Sequence, residues 1–136
     1  MRRLIFLDID GVIAPGSTGR IDPTLLERLL TLVKETGAKV VLSSSWREDT
    51  LRKSLRLLPT ALRKHVEGQT RDLQGQPRGK EICSYLQRHP CHRYVILDDE
   101  PEPLYAFLHD KAVFTDPKTG LSEEDAAKAG EILMRS

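Results

Sequence analysis

Three short apolar runs, each ending in oxygen-bearing side chains, restrict what these 136 residues can fold into more than any other feature. Leu4-Ile5-Phe6-Leu7 leads into Asp8-Ile9-Asp10-Gly11-Val12. Lys39-Val40-Val41-Leu42 leads into Ser43-Ser44-Ser45-Trp46-Arg47, and Tyr94-Val95-Ile96-Leu97 into Asp98-Asp99-Glu100. Continuous apolar runs of this length suit strands covered on both faces, as in a parallel sheet. Helical patterns separate them. Leu26, Leu29, Leu30 and Val33 keep helical spacing between Asp22-Pro23, an N-cap followed by Pro at the first helical position, and Gly37, so the spacing predicts a helix over 23–36. Leu51, Leu55 and Leu58 predict a second helix from Glu48 to Pro59. Ile82, Tyr85, Leu86 and His89 predict a third from Lys80 to His89, stopped by Pro90.

The remaining elements are fainter. Val66 falls in a Gly-punctuated stretch where a short strand fits. A short helix is expected near 102–108, a strand at 112–115 and a last helix at about 123–134, where Ser122 and Asp125 form a capping box. Strands alternating with helices predict an α/β fold: a three-layer α/β/α sandwich on a mainly parallel, Rossmann-like sheet. In a parallel sheet Asp8/Asp10, Ser43/Ser44 and Asp98/Asp99 all emerge at the same edge, which places them in one crevice.

Several classes are excluded at this stage. A length of 136 residues gives one domain, 1–136, with room for a core. A net charge of +1 favours no polyanionic partner by itself. Two cysteines, Cys83 and Cys91, are too few for a disulfide framework, and with His89 and His92 their spacing matches no closed zinc site. The apolar run after Arg2-Arg3 is cut by Asp8 after four residues, too short for a signal peptide, and no stretch could span a membrane. The expected location is therefore the cytoplasm, with no membrane partner.

Side-chain alternation along an extended strand would send Asp8 and Asp10 to one side. Converging carboxylates need a proton or a cation between them, and Mg²⁺ is the usual hard, oxygen-seeking partner.

Asp8-Ile9-Asp10-Gly11-Val12 resembles the first motif of the haloacid dehalogenase (HAD) superfamily, and the superfamily's other marks follow in order. The resemblance implies a HAD-type sheet and a phosphatase in which Asp8 is the nucleophile and forms an aspartyl-phosphate. It also implies that Asp10 is the acid and base, with its main-chain carbonyl on Mg²⁺. A serine of the second motif, Ser44 or else Ser43, would hold a phosphoryl oxygen. A helix-initial cation, Lys80 or else Arg78, would balance the carboxylates. One of Asp98 and Asp99 would ligate the metal, and the other would position a water ligand or the cation.

Neither interval that could carry the superfamily's cap domain has room for one. Asp10 to Ser44 holds loop, helix and strand; Ser44 to Lys80 holds one helix and about twenty less regular residues. A capless, open site goes in the superfamily with bulky substrates. Charge gives a direction: from Arg47 to Lys80 there are nine Lys/Arg against four Asp/Glu, and from Arg93 to Ser136 five against ten. Arg47 beside the second motif, and Arg52 and Arg56 on the face opposite the Leu stripe, would form a basic rim suited to RNA or DNA ends. The phrases Ser44-Ser45-Trp46-Arg47, Arg78-Gly79-x-Glu81-Ile82, Leu97-Asp98-Asp99-Glu100 and Val113-x-x-Asp116 are similar to the capless HAD domain of multidomain RNA-repair proteins. That likeness implies an end-cleaning 3′-phosphatase. A nucleotidase, a protein phosphatase, and a non-catalytic nucleic-acid or protein-binding module remain the alternatives.

Overall fold

Alternation carries the apolar side chains of each central strand to both faces, and helices cover both. The computed structural model describes residues 2–44 and 46–135. Five strands form one sheet in the order β3-β2-β1-β4-β5: β1 Arg3–Leu7, β2 Lys39–Leu42, β3 Val66–Gln69, β4 Arg93–Asp98 and β5 Ala112–Phe114. Every pairing is parallel, with Leu7 opposite both Leu42 and Leu97. On one face α1 (Pro23–Thr36) and α5 (Glu123–Met134) bury Leu29, Val33, Ala129 and Leu133 against Ile5, Leu7, Val40 and Leu97. On the other, α4 (Arg78–Arg88) and a 3₁₀ helix at Ala106–Lys111 bury Ile82, Tyr85 and Leu108 against Leu4, Phe6, Val41 and Ile96. The result is the expected three-layer α/β/α sandwich. The segments between the strands supply helices and loops but no cap domain.

Local chemistry explains most of the boundaries. Asp22 Oδ1 accepts from the Thr24 and Leu25 amides, Pro23 opens α1, and Gly37 closes it. Ser122 and Asp125 form the reciprocal capping box at the start of α5.

Three elements differ from the sequence reading. The helix expected from Glu48 is α2, only Leu51–Arg56, and a further turn, α3 (Thr60–Arg63), follows Pro59. The late start follows from Thr50, whose hydroxyl caps α2 by accepting from the Lys53 amide (3.2 Å), while Ser54 turns its buried hydroxyl to the Glu48 amide and Gln69. The helix expected at Lys80 starts at Arg78. The one expected near 102–108 is the 3₁₀ turn at 106–111, because Pro101 and Pro103 remove the donors an earlier start would use. No helix among the described residues is long and apolar enough to cross a membrane.

Candidate active site

The site forms because β1 and β2 run one residue past their last ladder pairs and β4 ends on Asp98. The Asp8 amide donates to Leu97 O (3.0 Å) and the Ser43 amide to Leu7 O (2.9 Å), so both residues stay extended. Leu7, Leu42 and Leu97 face α1 and α5. By alternation Asp8, Ser43 and Asp98 face the α4 layer. That layer presents Arg78, in the first turn of α4, to the carboxylates. Its Nη1 lies 2.7 Å from Asp98 Oδ2 and 3.6 Å from Asp8 Oδ2.

Gly79 is what lets Arg78 come so close. A Cβ there would lie 2.9 Å from the Tyr105 backbone nitrogen, and the Gly79 amide donates to Pro103 O at 2.9 Å. The first turn of α4 therefore packs backbone to backbone on the loop that follows β4.

Asp8, Asp98 and Asp99 each offer a carboxylate oxygen within 4.8 Å of the others. Burial, the neighbouring Asp98 charge and the adjoining Asp99 together push the Asp8 carboxyl up to about 8, although Arg78 opposes the shift. Asp98, only 1 % exposed, is also raised, first by burial, against the pull of Arg78. Both Asp98 oxygens are engaged: Oδ2 accepts from Arg78 and Oδ1 from the Glu100 amide (3.0 Å). The Asp99 carboxylate lies over Gly11, where φ is +82° and a Cβ would collide with it. Thr115, at the end of β5, donates its hydroxyl to Gly11 O (2.6 Å), and its amide donates to Asp98 O (2.9 Å). Thr115 thus fixes the loop carrying the first carboxylates relative to the strand carrying the others.

The alternation expected for Asp10 does not apply. The chain leaves the sheet at Ile9, whose carbonyl accepts from the amides of Val12, Ile13 and Ala14. Asp10 stands outside the three clustered carboxylates, and its Oδ1 accepts from the Trp46 indole Nε1–H at 3.1 Å.

The serines divide cleanly. Ser44 Oγ accepts from the Trp46 amide at 3.2 Å, so it caps its own turn. Ser43 Oγ is buried and has no hydrogen-bond partner among the described residues. Ser45 lies outside the described residues.

Other sequence-identified residues sit as follows. Lys80 is exposed and makes no ion pair among the described residues. The cation against the carboxylates is Arg78. Arg47 is committed elsewhere: its guanidinium pairs with Glu81 Oε1 at 2.9 Å and donates to the Thr70 hydroxyl. Glu81, 5 % exposed, also accepts from the Leu73 amide at 3.0 Å. This knot ties the loop after β2, the end of β3 and helix α4 together beneath the site. Arg52 and Arg56 are exposed on α2 as expected. The neighbouring cleft, about 790 Å³, carries Arg71 but also Asp49 and Asp72, so positive charge is not concentrated there.

Sequence reasoning missed Thr115 and Glu81 as builders of the site. A buried Glu inside a helix is invisible to periodicity, because its neighbours Ile82 and Tyr85 alone define the apolar face. Removing one partner of such a pair leaves an uncompensated buried charge, which costs about 3–5 kcal/mol. Glu81→Ala should therefore lower the urea midpoint by that much stability, while the Arg47→Met/Glu81→Leu double variant recovers most of it. A Glu81→Ala protein as stable as wild type would show that the knot carries no stability.

Comparison with known proteins adds one finding. The family model described as the HAD domain in Swiss Army Knife RNA repair proteins matches residues 4–126. No curated protein and no solved structure gives a significant match. The HAD assignment points to phosphatase-type chemistry.

Proposed function

Because the chain belongs to the HAD domains of Swiss Army Knife RNA repair proteins, we propose that it is a phosphomonoester hydrolase that works through an aspartyl-phosphate and cleans the ends of nucleic acids. The observation that carries this reading is the pairing of Arg78 with Asp8 and Asp98 at the sheet edge where Ser43 also emerges, its buried hydroxyl without a partner among the described residues. A cation, a free donor and a displaced carboxylate equilibrium converge there, as phosphoryl transfer requires.

In this reading Asp8 attacks phosphorus, and the bond from phosphorus to the leaving oxygen breaks in line. Asp10 gives its proton to that oxygen. It then takes a proton from the water that attacks the aspartyl-phosphate, releasing phosphate and restoring both carboxyl groups. Arg78 and the Ser43 hydroxyl hold phosphoryl oxygens, so Ser43 takes the second-motif role and Arg78 the third.

The donor set fits Mg²⁺: three hard carboxylate oxygens within 4.8 Å of one another, where burial and then the neighbouring carboxylates raise Asp8. Since Arg78 and the Glu100 amide engage both Asp98 oxygens, Asp8 and Asp99 are the residues that would hold the ion, with the Asp10 carbonyl as the family pattern implies. When bound, Mg²⁺ supplies the positive charge that lets an anionic phosphate approach an ionised Asp8.

The raised Asp8 carboxyl has a stability consequence. Its folded-state value, about 8, exceeds the ordinary 3.8. Its contribution to the stability of the metal-free protein is therefore fully present below about 4 and lost as pH rises toward about 8. Adding Mg²⁺ should raise the melting temperature more at about pH 8 than at about pH 5, and Asp8→Asn should remove the difference. Equal increments at both pH values would contradict the carboxylate cluster as the metal site.

The nucleic-acid part of the reading is supported by the family's association with RNA repair, the absence of a cap and the exposed Arg52 and Arg56 on α2. The test is phosphate release, with Mg²⁺ and with chelator, from a 3′-phosphorylated oligoribonucleotide, a mononucleotide and a phosphopeptide. The oligonucleotide should be preferred, with KM rising steeply with salt. Preference for the mononucleotide or the phosphopeptide would replace the substrate assignment with a nucleotidase or a protein phosphatase. Absence of turnover on all three would point to a binding module.

A further inference from the structure

Asp10 has one hydrogen-bond partner among the described residues, and it is a group that can only donate. The indole Nε1–H of Trp46 lies 3.1 Å from Asp10 Oδ1. Trp46 is itself held from three directions. Its ring packs on the core formed by α1, α5 and the sheet, its amide donates to Ser44 Oγ (3.2 Å), and the next residue, Arg47, is anchored in the pair with Glu81. The indole is thus a fixed donor aimed at one oxygen of a carboxyl group on a separate loop, 36 positions away in the chain.

We propose that Trp46 is the positioning residue of the acid and base: its N–H engages Oδ1 and so favours the exchangeable proton of Asp10 on Oδ2. This rests on the phosphatase reading above. The physical reason is the inventory of the two groups. An indole nitrogen has a hydrogen to give and no lone pair to receive one. A proton placed on Oδ1 would leave the N–H facing a hydroxyl oxygen, a poorer acceptor than a carbonyl oxygen, so the protonated carboxyl favours its hydrogen on the other oxygen. The same contact fixes the carboxyl rotamer, and the oxygen presented to the leaving group is the same one in both half-reactions. Positioning of this kind is a large part of what a general acid contributes.

Two measurements test it. The first needs no turnover. The chain has a single tryptophan, so the Nε1–H gives one resonance in a nitrogen–proton correlation spectrum. Asp10→Ala should move that resonance upfield and speed its exchange with solvent. An unmoved resonance would overturn the contact itself, whatever the protein catalyses.

The second is Trp46→Phe, which keeps a packed ring and removes only the donor. The ratio of kcat/KM for p-nitrophenyl phosphate to kcat/KM for glycerol 2-phosphate should rise by about 10- to 100-fold, because only the alkoxide leaving group needs an acid. KM for glycerol 2-phosphate should change far less than kcat. A ratio equal to that of wild type, with both substrates reduced together, would mean that Trp46 only packs. Wild-type protein that turns over neither substrate would instead sink the phosphatase reading; the resonance experiment would then stand alone and show whether Trp46 holds Asp10.

Discussion

Asp8→Asn is expected to lower phosphate release by on the order of 10³-fold or more without unfolding the protein. The amide nitrogen cannot displace a leaving oxygen from phosphorus as the carboxylate does. Asp98 is held by Arg78 and the Glu100 amide, and Asp10 is turned toward Trp46. The substitution also removes a charge that burial and Asp98 disfavour, so the metal-free variant should melt no lower than wild type. Phosphate release and thermal melting measured on one preparation check both halves. Sustained turnover in protein confirmed by mass to retain Asn would move the nucleophile elsewhere.

The second large effect separates the two basic residues at the start of α4. Arg78→Ala should lower kcat/KM on the order of 10²- to 10³-fold, because it removes the cation set against Asp8 and Asp98, where charge develops in the reaction. It should also cost stability, since Asp98 is 1 % exposed and would lose its charged partner. Lys80→Ala should change kcat/KM by less than about twofold, as an exposed lysine without an ion partner among the described residues contributes little. Arg78→Lys, which keeps the charge but not the planar fork, should fall between. The opposite order of effects would make Lys80 the phosphate-holding cation and leave the Arg78–Asp98 pair a structural one.

The contrast between Arg78 and Lys80 marks where the sequence stops being readable. Strands β1, β2 and β4 were legible because a parallel sheet buried on both faces demands uninterrupted apolar runs, and Leu4–Leu7, Val40–Leu42 and Val95–Leu97 are such runs. α1 and α5 were legible from their caps. The start of α4 has no capping side chain, only Pro77, so the register of Arg78 and Lys80 against the sheet was open. It was set by Gly79 packing on the loop at 103–105, a contact made by the tertiary fold alone.

The first carboxylate pair shows a second limit. Alternation placed Asp8 because Asp8 still belongs to the extended chain. It does not extend to Asp10, because a turn around the Ile9 carbonyl intervenes. Ser43 and Ser44 could not be separated by residue type. The fold separates them, since the Ser44 hydroxyl caps a local turn and the Ser43 hydroxyl has no partner among the described residues. The loop between β2 and α2 depends on the Glu81 knot, which joins residues 34 positions apart in the chain, beyond the reach of a local pattern.

The most direct test of the account is to trap the covalent intermediate. Protein mixed with substrate and Mg²⁺, quenched and treated with borohydride, should yield a peptide in which position 8 is reduced to homoserine, since an acyl-phosphate is reduced where a free carboxylate is not. The product should be absent without substrate and in Asp8→Asn. Reduction at another residue, or steady phosphate release with none at position 8 even in a rapid quench during turnover, would contradict the aspartyl-phosphate at Asp8.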